Sequence, residues 1–333
     1  MKQKLNIGII GCSRIAKNSI IPAILKSDHV NLEFIGSRNL DKAAVFSKEF
    51  NCKKFGTYED VLNDDNVDAV YISTPIGTHE EWVIKSANTG KHILCEKSST
   101  TSYESAKTMT ETCKQNNVRL LECLMFRFHP SHQKVKELIN NESLGNIFSF
   151  YGKYGFPAIP KNDIRYDKSL GGGILNDAGC YPICASRILF NSEPEGVLCE
   201  LSIEKESQVD TKASIFMNFG NSRTSHSIVG YDLFYQSMYS LWGSSGTLHL
   251  TRAYNVPIDM PVNLTLNNDY KNTLSINPAD HFELMINSFV DEIVNQGTSM
   301  FNFEDDLLKQ AQIMDAARLS FKEERFVKID EIF

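Results

Sequence analysis

Residues Leu5–Ala16, which read LNIGIIGCSRIA, give the clearest indication of the fold of the first part of the chain. Its apolar half has the composition of a buried strand, and the pattern Gly11-x-Ser13-x-x-Ala16 follows at once. This is a relaxed form of the Gly-x-Gly-x-x-Gly pattern, which makes a tight turn and lets a pyrophosphate approach the start of a helix. We therefore predict a dinucleotide site here, with the candidate residues Gly11, Ser13, Arg14 and Ile15.

Outward from this stretch, strand-like and helix-like segments alternate. The predicted helices are about Arg14–Lys26, Asp41–Phe50, His79–Asn88 and Tyr103–Gln115. The predicted strands are Leu5–Ile10, Leu32–Ser37, Val67–Ser73, His92–Cys95 and Val118–Leu121. Continuous apolar strands that alternate with helices are typical of a parallel sheet covered on both faces. The chain is α/β here, and we predict a Rossmann domain, a doubly wound parallel sheet, over residues 1–123.

After about residue 145 the pattern changes to strands in which apolar and polar residues alternate. The predicted strands are Ile147–Tyr154, Gly196–Lys205, Thr211–Phe219, Arg223–Gly230, Leu233–Trp242 and Thr247–Thr251. The predicted helices are Gly173–Phe190, Ala279–Asn295 and Phe303–Phe321. Such alternation indicates an antiparallel sheet with one covered face. We predict a C-terminal α+β domain with a large, mostly antiparallel sheet over residues 124–333, and a substrate loop or lid at Tyr154–Lys168.

The end of the second strand distinguishes between the two nicotinamide dinucleotides. NAD-binding proteins place an acidic residue there to bind the ribose 2′-hydroxyl. This chain has Ser37-Arg38 and no acidic residue before Asp41. A hydroxyl and a guanidinium can bind a 2′-phosphate by charge-assisted hydrogen bonds. The cofactor is therefore predicted to be NADP(H), although Arg38 could also be a solvated residue at a helix start.

Composition excludes several classes of partner. The net charge of -7 argues against nucleic acid and against an anionic membrane surface. No segment is apolar enough to span a bilayer, and the first apolar run is too short for a signal peptide, so we expect a cytoplasmic protein. Without a Cys-x-x-Cys pair, no metal site is predicted. We expect buried free thiols at Cys12, Cys52, Cys95, Cys113, Cys123, Cys180, Cys184 and Cys199.

Motifs along nearly the whole chain resemble the glucose–fructose oxidoreductase / inositol 2-dehydrogenase (Gfo/Idh/MocA) family. They are Gly8–Gly11, Asp68–Pro75, His79, Gly90–Lys97, Arg127–Pro130 and Gly171–Tyr181. The resemblance implies an enzyme that transfers a hydride to or from a secondary alcohol carbon of a sugar-like substrate. It implies catalytic roles for Lys97, Tyr181 and Asp177, with Lys97 between the nicotinamide and the reacting carbon.

The resemblance also implies further site residues. Thr74, Pro75, His79 and Glu96 are expected at the cofactor with Lys97, and His79 is not expected to be a catalyst. Arg127, His129, Tyr166 and Trp242 are candidate substrate contacts beside Asp177 and Tyr181. Many relatives have a histidine where Tyr181 stands, and the tyrosine resembles the sugar ketoreductase and dihydrodiol dehydrogenase branches.

One departure concerns the Glu-Lys-Pro motif of the family, in which the proline is often cis. Here Ser98 replaces the proline. A cis bond before a residue other than proline costs about 2.5–4 kcal/mol, so the sequence leaves the Lys97–Ser98 bond open.

Three functions remain open from the sequence. The favoured one is a reductase of a ketosugar, with or without an attached nucleotide. The second is an NADP-dependent dehydrogenase of aldoses or of trans-dihydrodiols. The third is a non-catalytic regulatory protein that binds NADP. We also predict a homodimer or homotetramer formed through the C-terminal sheet, because a sheet covered by helices on one face leaves the other face to be buried.

Overall fold

The protein is described by a computed structural model that covers residues 4–295 and 301–333. It forms two compact units. The first consists of Met1–Met125 and Phe282–Leu308, and the second of Phe126–His281 and Lys309–Phe333. The predicted boundary after residue 123 is close to the observed change of unit. Phe282–Leu308, which the sequence interpretation gave to the second domain, belongs instead to the first unit.

Polar contacts explain why this late segment belongs to the first unit. The guanidinium of Arg119 pairs with the carboxylates of Glu292 and Glu304, and the backbone N–H of Leu120 donates to Glu304 at 2.8 Å. The hydroxyl of Ser27 donates to Asn287 at 2.7 Å. These partners lie far apart along the chain, so hydrophobic periodicity carries no signal for them.

The first unit contains a six-stranded parallel sheet in the order β3-β2-β1-β4-β5-β6. Its strands are β1 Leu5–Ile10, β2 Val30–Gly36, β3 Lys54–Gly56, β4 Ala69–Ile72, β5 His92–Cys95 and β6 Leu120–Glu122. Its early helices are α1 Ile21–Lys26, α2 Leu40–Glu49, α3 Tyr58–Leu62, α4 His79–Asn88 and α5 Tyr103–Gln115. This strand order is that of the Rossmann fold, and the prediction is confirmed.

The second unit contains a nine-stranded sheet in the order β14-β13-β12-β11-β7-β10-β9-β8-β15. The strands are β7 Ile147–Gly155, β8 Gly196–Ile203, β9 Asp210–Asn218, β10 Thr224–Gly230, β11 Gln236–Gly243, β12 Thr247–Thr251, β13 Val262–Asn267, β14 Lys271–Ile276 and β15 Val327–Lys328. All of these pairs are antiparallel except β7 with β10. The predicted large, mostly antiparallel sheet is confirmed.

The remaining helices are α6 Pro130–Asn140, α7 Cys180–Phe190, α8 His281–Asn295 and α9 Phe303–Glu323. A π-helical turn precedes α1 at Ala16–Ile20 and α7 at Leu175–Gly179. The predicted helix Gly173–Phe190 therefore consists of a wider first turn followed by α7. None of the helices in residues 4–295 and 301–333 is long and apolar enough to cross a membrane.

The sequence interpretation missed several short or polar elements, namely β3, α3, α6, β13, β14 and β15. β3 and β15 are too short for periodicity to indicate a strand. β14 is a largely exposed edge strand of polar residues. The eight cysteines are buried free thiols, as predicted.

Candidate functional site

The dinucleotide turn at the end of β1 is built around Gly11. Gly11 has φ of +108°, and a Cβ atom there would lie 3.1 Å from the backbone of Ser73. Both facts require glycine at this position. The hydroxyl of Ser13 donates to Ser73 Oγ at 2.9 Å, and Ser73 Oγ donates to the Gly11 carbonyl at 2.9 Å. These hydrogen bonds connect the turn to Ser73, which directly follows β4. The sequence interpretation did not select Ser73.

The residues that follow this turn are open to a ligand to different degrees. Arg14 is exposed and Ile15 is half-buried, while Ala16 packs in the core. The hydroxyl of Ser13 accepts a hydrogen bond from the Ala16 N–H at 3.1 Å. Ser13 and Ala16, the small residues of the predicted pattern, therefore both take part in the structure of the turn.

At the end of β2, Ser37 and Arg38 differ in exposure. Ser37 is buried, and its hydroxyl accepts a hydrogen bond from the Asn39 N–H at 3.1 Å. Arg38 is exposed, and Asn39 caps α2 by accepting from the Lys42 N–H at 3.0 Å. Arg38 therefore places an exposed cation just before α2, and Ser37 supports the turn beneath it.

Lys97 follows β5 in a turn with a cis peptide bond between Lys97 and Ser98. The side chain of Glu96 lies under this turn. Its Oε1 accepts from the hydroxyl of Tyr71 at 2.6 Å, and its Oε2 accepts from the Lys97 N–H at 3.2 Å. Burial raises the pKa of Glu96, against the hydrogen bond from Tyr71 and the positive charge of Lys97. Glu96 thus holds the backbone of Lys97 in place.

His79 is buried at the start of α4, behind Thr74 and Pro75. Its Nε2 lies 2.7 Å from the Thr74 carbonyl oxygen, and its Nδ1 lies 3.2 Å from the Ser98 carbonyl oxygen. Burial lowers the pKa of His79 to about 4, although the carbonyls oppose this shift. Both ring nitrogens face backbone atoms, while Thr74 and Pro75 are half-buried. His79 therefore lies between the loop that contains Thr74 and the loop that contains Ser98.

In the second unit, Asp177 lies in the π-helical turn before α7. Its Oδ2 accepts a hydrogen bond from Arg165 Nε at 2.7 Å, and the hydroxyl of Tyr231 lies 3.5 Å away. Arg165 also donates to Asp163 at 3.1 Å. These carboxylates raise the pKa of Arg165, although its burial acts in the opposite direction. The sequence interpretation missed Arg165 and Tyr231 because nothing local relates them to residue 177.

The start of this helix depends on a glycine and on a half-buried acid. Gly173 has φ of +118°, and a Cβ atom there would lie 2.2 Å from Asp210 Oδ1. Asp210 Oδ2 accepts from the Leu175 N–H at 2.6 Å. The glycine-rich segment therefore lets a carboxylate from β9 approach the first turn of the helix that carries Asp177 and Tyr181.

Tyr181 is buried in a cluster of aromatic rings. Its ring centroid lies 5.1 Å from that of Tyr154, 5.7 Å from that of Phe126 and 5.7 Å from that of Tyr254. The Tyr154 ring meets it edge-on and the other two rings are tilted against it. Such contacts fix the orientation of a ring. The cluster comes from four separate elements, and only Tyr181 was selected from the sequence.

The other predicted substrate contacts lie in different places. Arg127 and His129 are buried next to Phe126, and Nδ1 of His129 lies 2.8 Å from the Ser131 hydroxyl. Tyr166 is buried 5.7 Å from Tyr231, beside Arg165. Trp242 is 64% exposed and alternates with the buried Leu241, on the face of the sheet opposite the aromatic cluster. The structure does not bring Trp242 together with Tyr181.

Comparison with known proteins gives the chain a family. Residues 5–123 match the family described as "Oxidoreductase family, NAD-binding Rossmann fold", and residues 132–249 match the "GFO/IDH/MocA C-terminal domain". The dTDP-3,4-didehydro-2,6-dideoxy-alpha-D-glucose 3-reductase of Actinomadura kijaniata is 30% identical, over 94% of this chain and 95% of that protein. The D-xylose 1-dehydrogenase (NADP(+)) 2 of Haloferax volcanii is 31% identical, over 90% and 92% of the two chains.

Among solved structures, a 3-ketoreductase from Actinomadura kijaniata in complex with NADP and TDP-benzene superposes with a TM-score of 0.91. It is 29% identical, and the match covers 96% of this chain and 98% of that one. Solved variants of that enzyme carry a substitution at one lysine or at one tyrosine, and these two positions are 84 residues apart. Lys97 and Tyr181 are also 84 positions apart. The chain belongs to the Gfo/Idh/MocA family of oxidoreductases.

Proposed function

We propose that this oxidoreductase uses NADPH to reduce a ketone carbon on a nucleotide-linked sugar. The observation that carries the proposal is the pair Lys97 and Tyr181. These residues have the same spacing as the lysine and the tyrosine that were substituted in the 3-ketoreductase variants. That protein was crystallised with NADP and TDP-benzene. Its similarity to this chain covers both units, so the support extends to the substrate-binding part as well as the Rossmann part.

The first unit fits NADP(H). Gly11 leaves the turn after β1 without a side chain where the pyrophosphate would approach, and the exposed Arg38 would bind the 2′-phosphate. No acidic residue stands at the end of β2 to repel that phosphate. When bound, NADPH supplies the hydride. Thr74, Pro75 and the Glu96–Lys97 turn would then border the nicotinamide, as the family resemblance implies.

The residues of this chain supply the proton and orient the substrate. Reduction of a ketone develops negative charge on its oxygen, and this charge must be stabilised and protonated. We assign the ammonium group of Lys97 to that oxygen, with the Tyr181 hydroxyl as a second donor. Asp177 is held by Arg165 and Tyr231. We therefore assign Asp177 an orienting role. Arg127, His129 and Tyr166 stay predicted substrate contacts, whereas Trp242 is no longer one.

We further propose that the chain forms a homodimer through the open face of the second sheet. Helix α7 covers the other face, where Gly152 approaches the side chain of Pro182. The open face, defined by the outward side chains of β7 to β11, carries a band of aromatic and aliphatic groups. Its members include Tyr151, Leu198, Phe216, His226, Ile228 and Trp242. A second copy would bury this band by symmetric pairing.

The function is tested by the consumption of NADPH with dTDP-linked 3-ketosugars, compared with the reduction of NADP by aldoses and by trans-diols. We expect turnover with the ketosugars. The similarity to a D-xylose 1-dehydrogenase favours aldose oxidation as the second candidate. Reduction of NADP by aldoses, without turnover of the ketosugars, would establish it. If NADPH binds but neither reaction occurs, the result would favour a regulatory protein that binds NADP. The predicted cytoplasmic location stays a prediction.

A further inference from the structure

His79 joins the ends of two neighbouring strands. Thr74 follows β4 and Ser98 follows β5, and these strands pair side by side with Ile72 opposite Cys95. The imidazole of His79 reaches both ends, at 2.7 Å from the Thr74 carbonyl and 3.2 Å from the Ser98 carbonyl. The ring is 1% exposed. Its polar atoms are therefore directed at the backbone of the protein.

Each of these strand ends is tied to a different part of the proposed site. Ser98 directly follows Lys97 across the cis peptide bond. Thr74 directly follows Ser73, whose hydroxyl bonds to Ser13 and to the Gly11 carbonyl in the dinucleotide turn. The imidazole thus lies between the turn that would hold the cofactor phosphates and the turn that carries Lys97.

We propose that His79 is a positioning residue, which sets the location of Lys97 relative to the bound nicotinamide by bonding to the end of β4 while its ring packs against the end of β5. The inference rests on the proposed function for the role of Lys97. It assigns His79 no direct contact with the cofactor, unlike the expectation from the sequence. An error of 1 Å in the position of a catalytic group can cost about 10²-fold in rate.

The two contacts are not equivalent. A neutral imidazole carries one N–H, so it can donate to only one of the two carbonyls. The shorter contact places the proton on Nε2, where it bonds to Thr74. A glutamine amide nitrogen is as many bonds from Cα as Nε2, and an asparagine amide nitrogen is as many as Nδ1. His79→Gln therefore keeps a donor for Thr74, whereas His79→Asn loses it.

The experiment compares His79→Gln and His79→Asn with His92→Ala. His92 also bonds to backbone, through Nδ1 at 3.0 Å from the Arg119 N–H, but it lies at the opposite end of β5. We expect His79→Asn to lower kcat about 10²-fold with little change in the dissociation constant of NADPH, and His79→Gln to recover much of the loss. Equal kcat in the wild type and His79→Asn would overturn the proposal, as would a matching loss in His92→Ala.

A second measurement is independent of substrate and of the stability of the variants. Nitrogen NMR of the wild-type protein labelled in histidine reports which ring nitrogen carries the proton. We expect a neutral ring at pH 7 with its proton on Nε2, and a proton on Nδ1 would overturn the assignment. If the wild type does not reduce ketosugars, the proposed function fails. The NMR result would still decide which of the two carbonyls the His79 ring bonds to.

Discussion

Arg165 Nε lies 2.7 Å from Asp177 Oδ2, and this ion pair connects the loop after β7 to the turn that precedes Tyr181. The side chains are 29% and 13% exposed, so water screens the pair only in part. Removal of the cation leaves a mostly buried carboxylate without its main partner. We expect Arg165→Met to lower the free energy of unfolding by about 1–3 kcal/mol, measured by urea denaturation.

A double-mutant cycle separates this pair from general effects of substitution. Arg165→Met combined with Asp177→Asn should be less destabilised than the sum of the single variants, because the second change removes the unpaired charge. Arg325→Met is the matched control. It breaks a more exposed pair with Glu331, whose side chains are 43% and 34% exposed. This change should alter the free energy of unfolding by less than about 1 kcal/mol. Additive effects at positions 165 and 177 would contradict the assigned coupling.

Arg38 should determine the choice between NADP and NAD. Arg38→Ala removes the exposed cation at the start of α2, and a charge-assisted hydrogen bond contributes about 1.5–3 kcal/mol. We expect the KM for NADP(H) to rise about 10- to 100-fold, with little change for NAD(H). Lys48→Ala removes one exposed positive charge from the other end of the same helix and serves as the control. Equal affinity of the wild type for both cofactors would refute the assignment.

The sequence predicts the parts of this site that depend on local chemistry. Gly11 is identifiable because its position after an apolar strand requires a turn, whereas Tyr181 is indicated only by the family resemblance. The partners of these residues come from distant segments. Ser73 under the turn, Arg165 beside Asp177 and the rings around Tyr181 are brought in by tertiary packing.

The same limit applies to the fold. A continuous apolar run indicates β1, which is buried on both faces of the sheet, and a periodic buried stripe indicates α5. Such a pattern cannot indicate that Phe282–Leu308 joins the first unit, because the ion pairs of this segment with Arg119 connect residues far apart along the chain. The resemblance to a protein family supplied the candidate catalytic residues, and the bond between Lys97 and Ser98 needed the structure.

Buried histidines should make the protein sensitive to mild acid. Burial lowers the pKa of His79 to about 4 and the pKa of His132 to about 3. The unfolded chain binds these protons near pH 6.5, so their contribution to stability is present above that pH and is lost as the pH falls. One such group costs about 2 kcal/mol at pH 5. We expect the urea midpoint to fall between pH 7 and pH 5.

The assignment of this effect is tested with His132→Gln. The variant should show a smaller difference in stability between pH 7 and pH 5 than the wild type, whatever its stability at pH 7. An unchanged pH dependence in the His132 variant would show that other groups cause the acid sensitivity.

The open face of the second sheet should hold two copies together. Phe216 and His226 form an aromatic pair on this face, with ring centroids 4.9 Å apart, and Trp242 is exposed nearby. A carboxylate introduced by Phe216→Glu would be buried without a partner in the interface. We expect light scattering to show a dimer or larger assembly for the wild type and a monomer for the variant. Phe55→Glu, at an exposed site in the first unit, should keep the wild-type assembly.

Lys97 should contribute more to the rate than Tyr181. Lys97→Met removes the assigned proton donor, and general acid assistance contributes about 10²–10⁴-fold, so kcat for ketosugar reduction should fall by at least that range. Tyr181→Phe should cost less, because the lysine still protonates the oxygen. Both losses should appear in kcat more than in KM, since these contacts strengthen as charge develops. NADPH should still bind to both variants, and Lys114→Met, at an exposed lysine of the same unit, should behave as the wild type. A near-normal kcat in Lys97→Met would show that another residue donates the proton, and Asp177 and His129 would be the next residues to substitute.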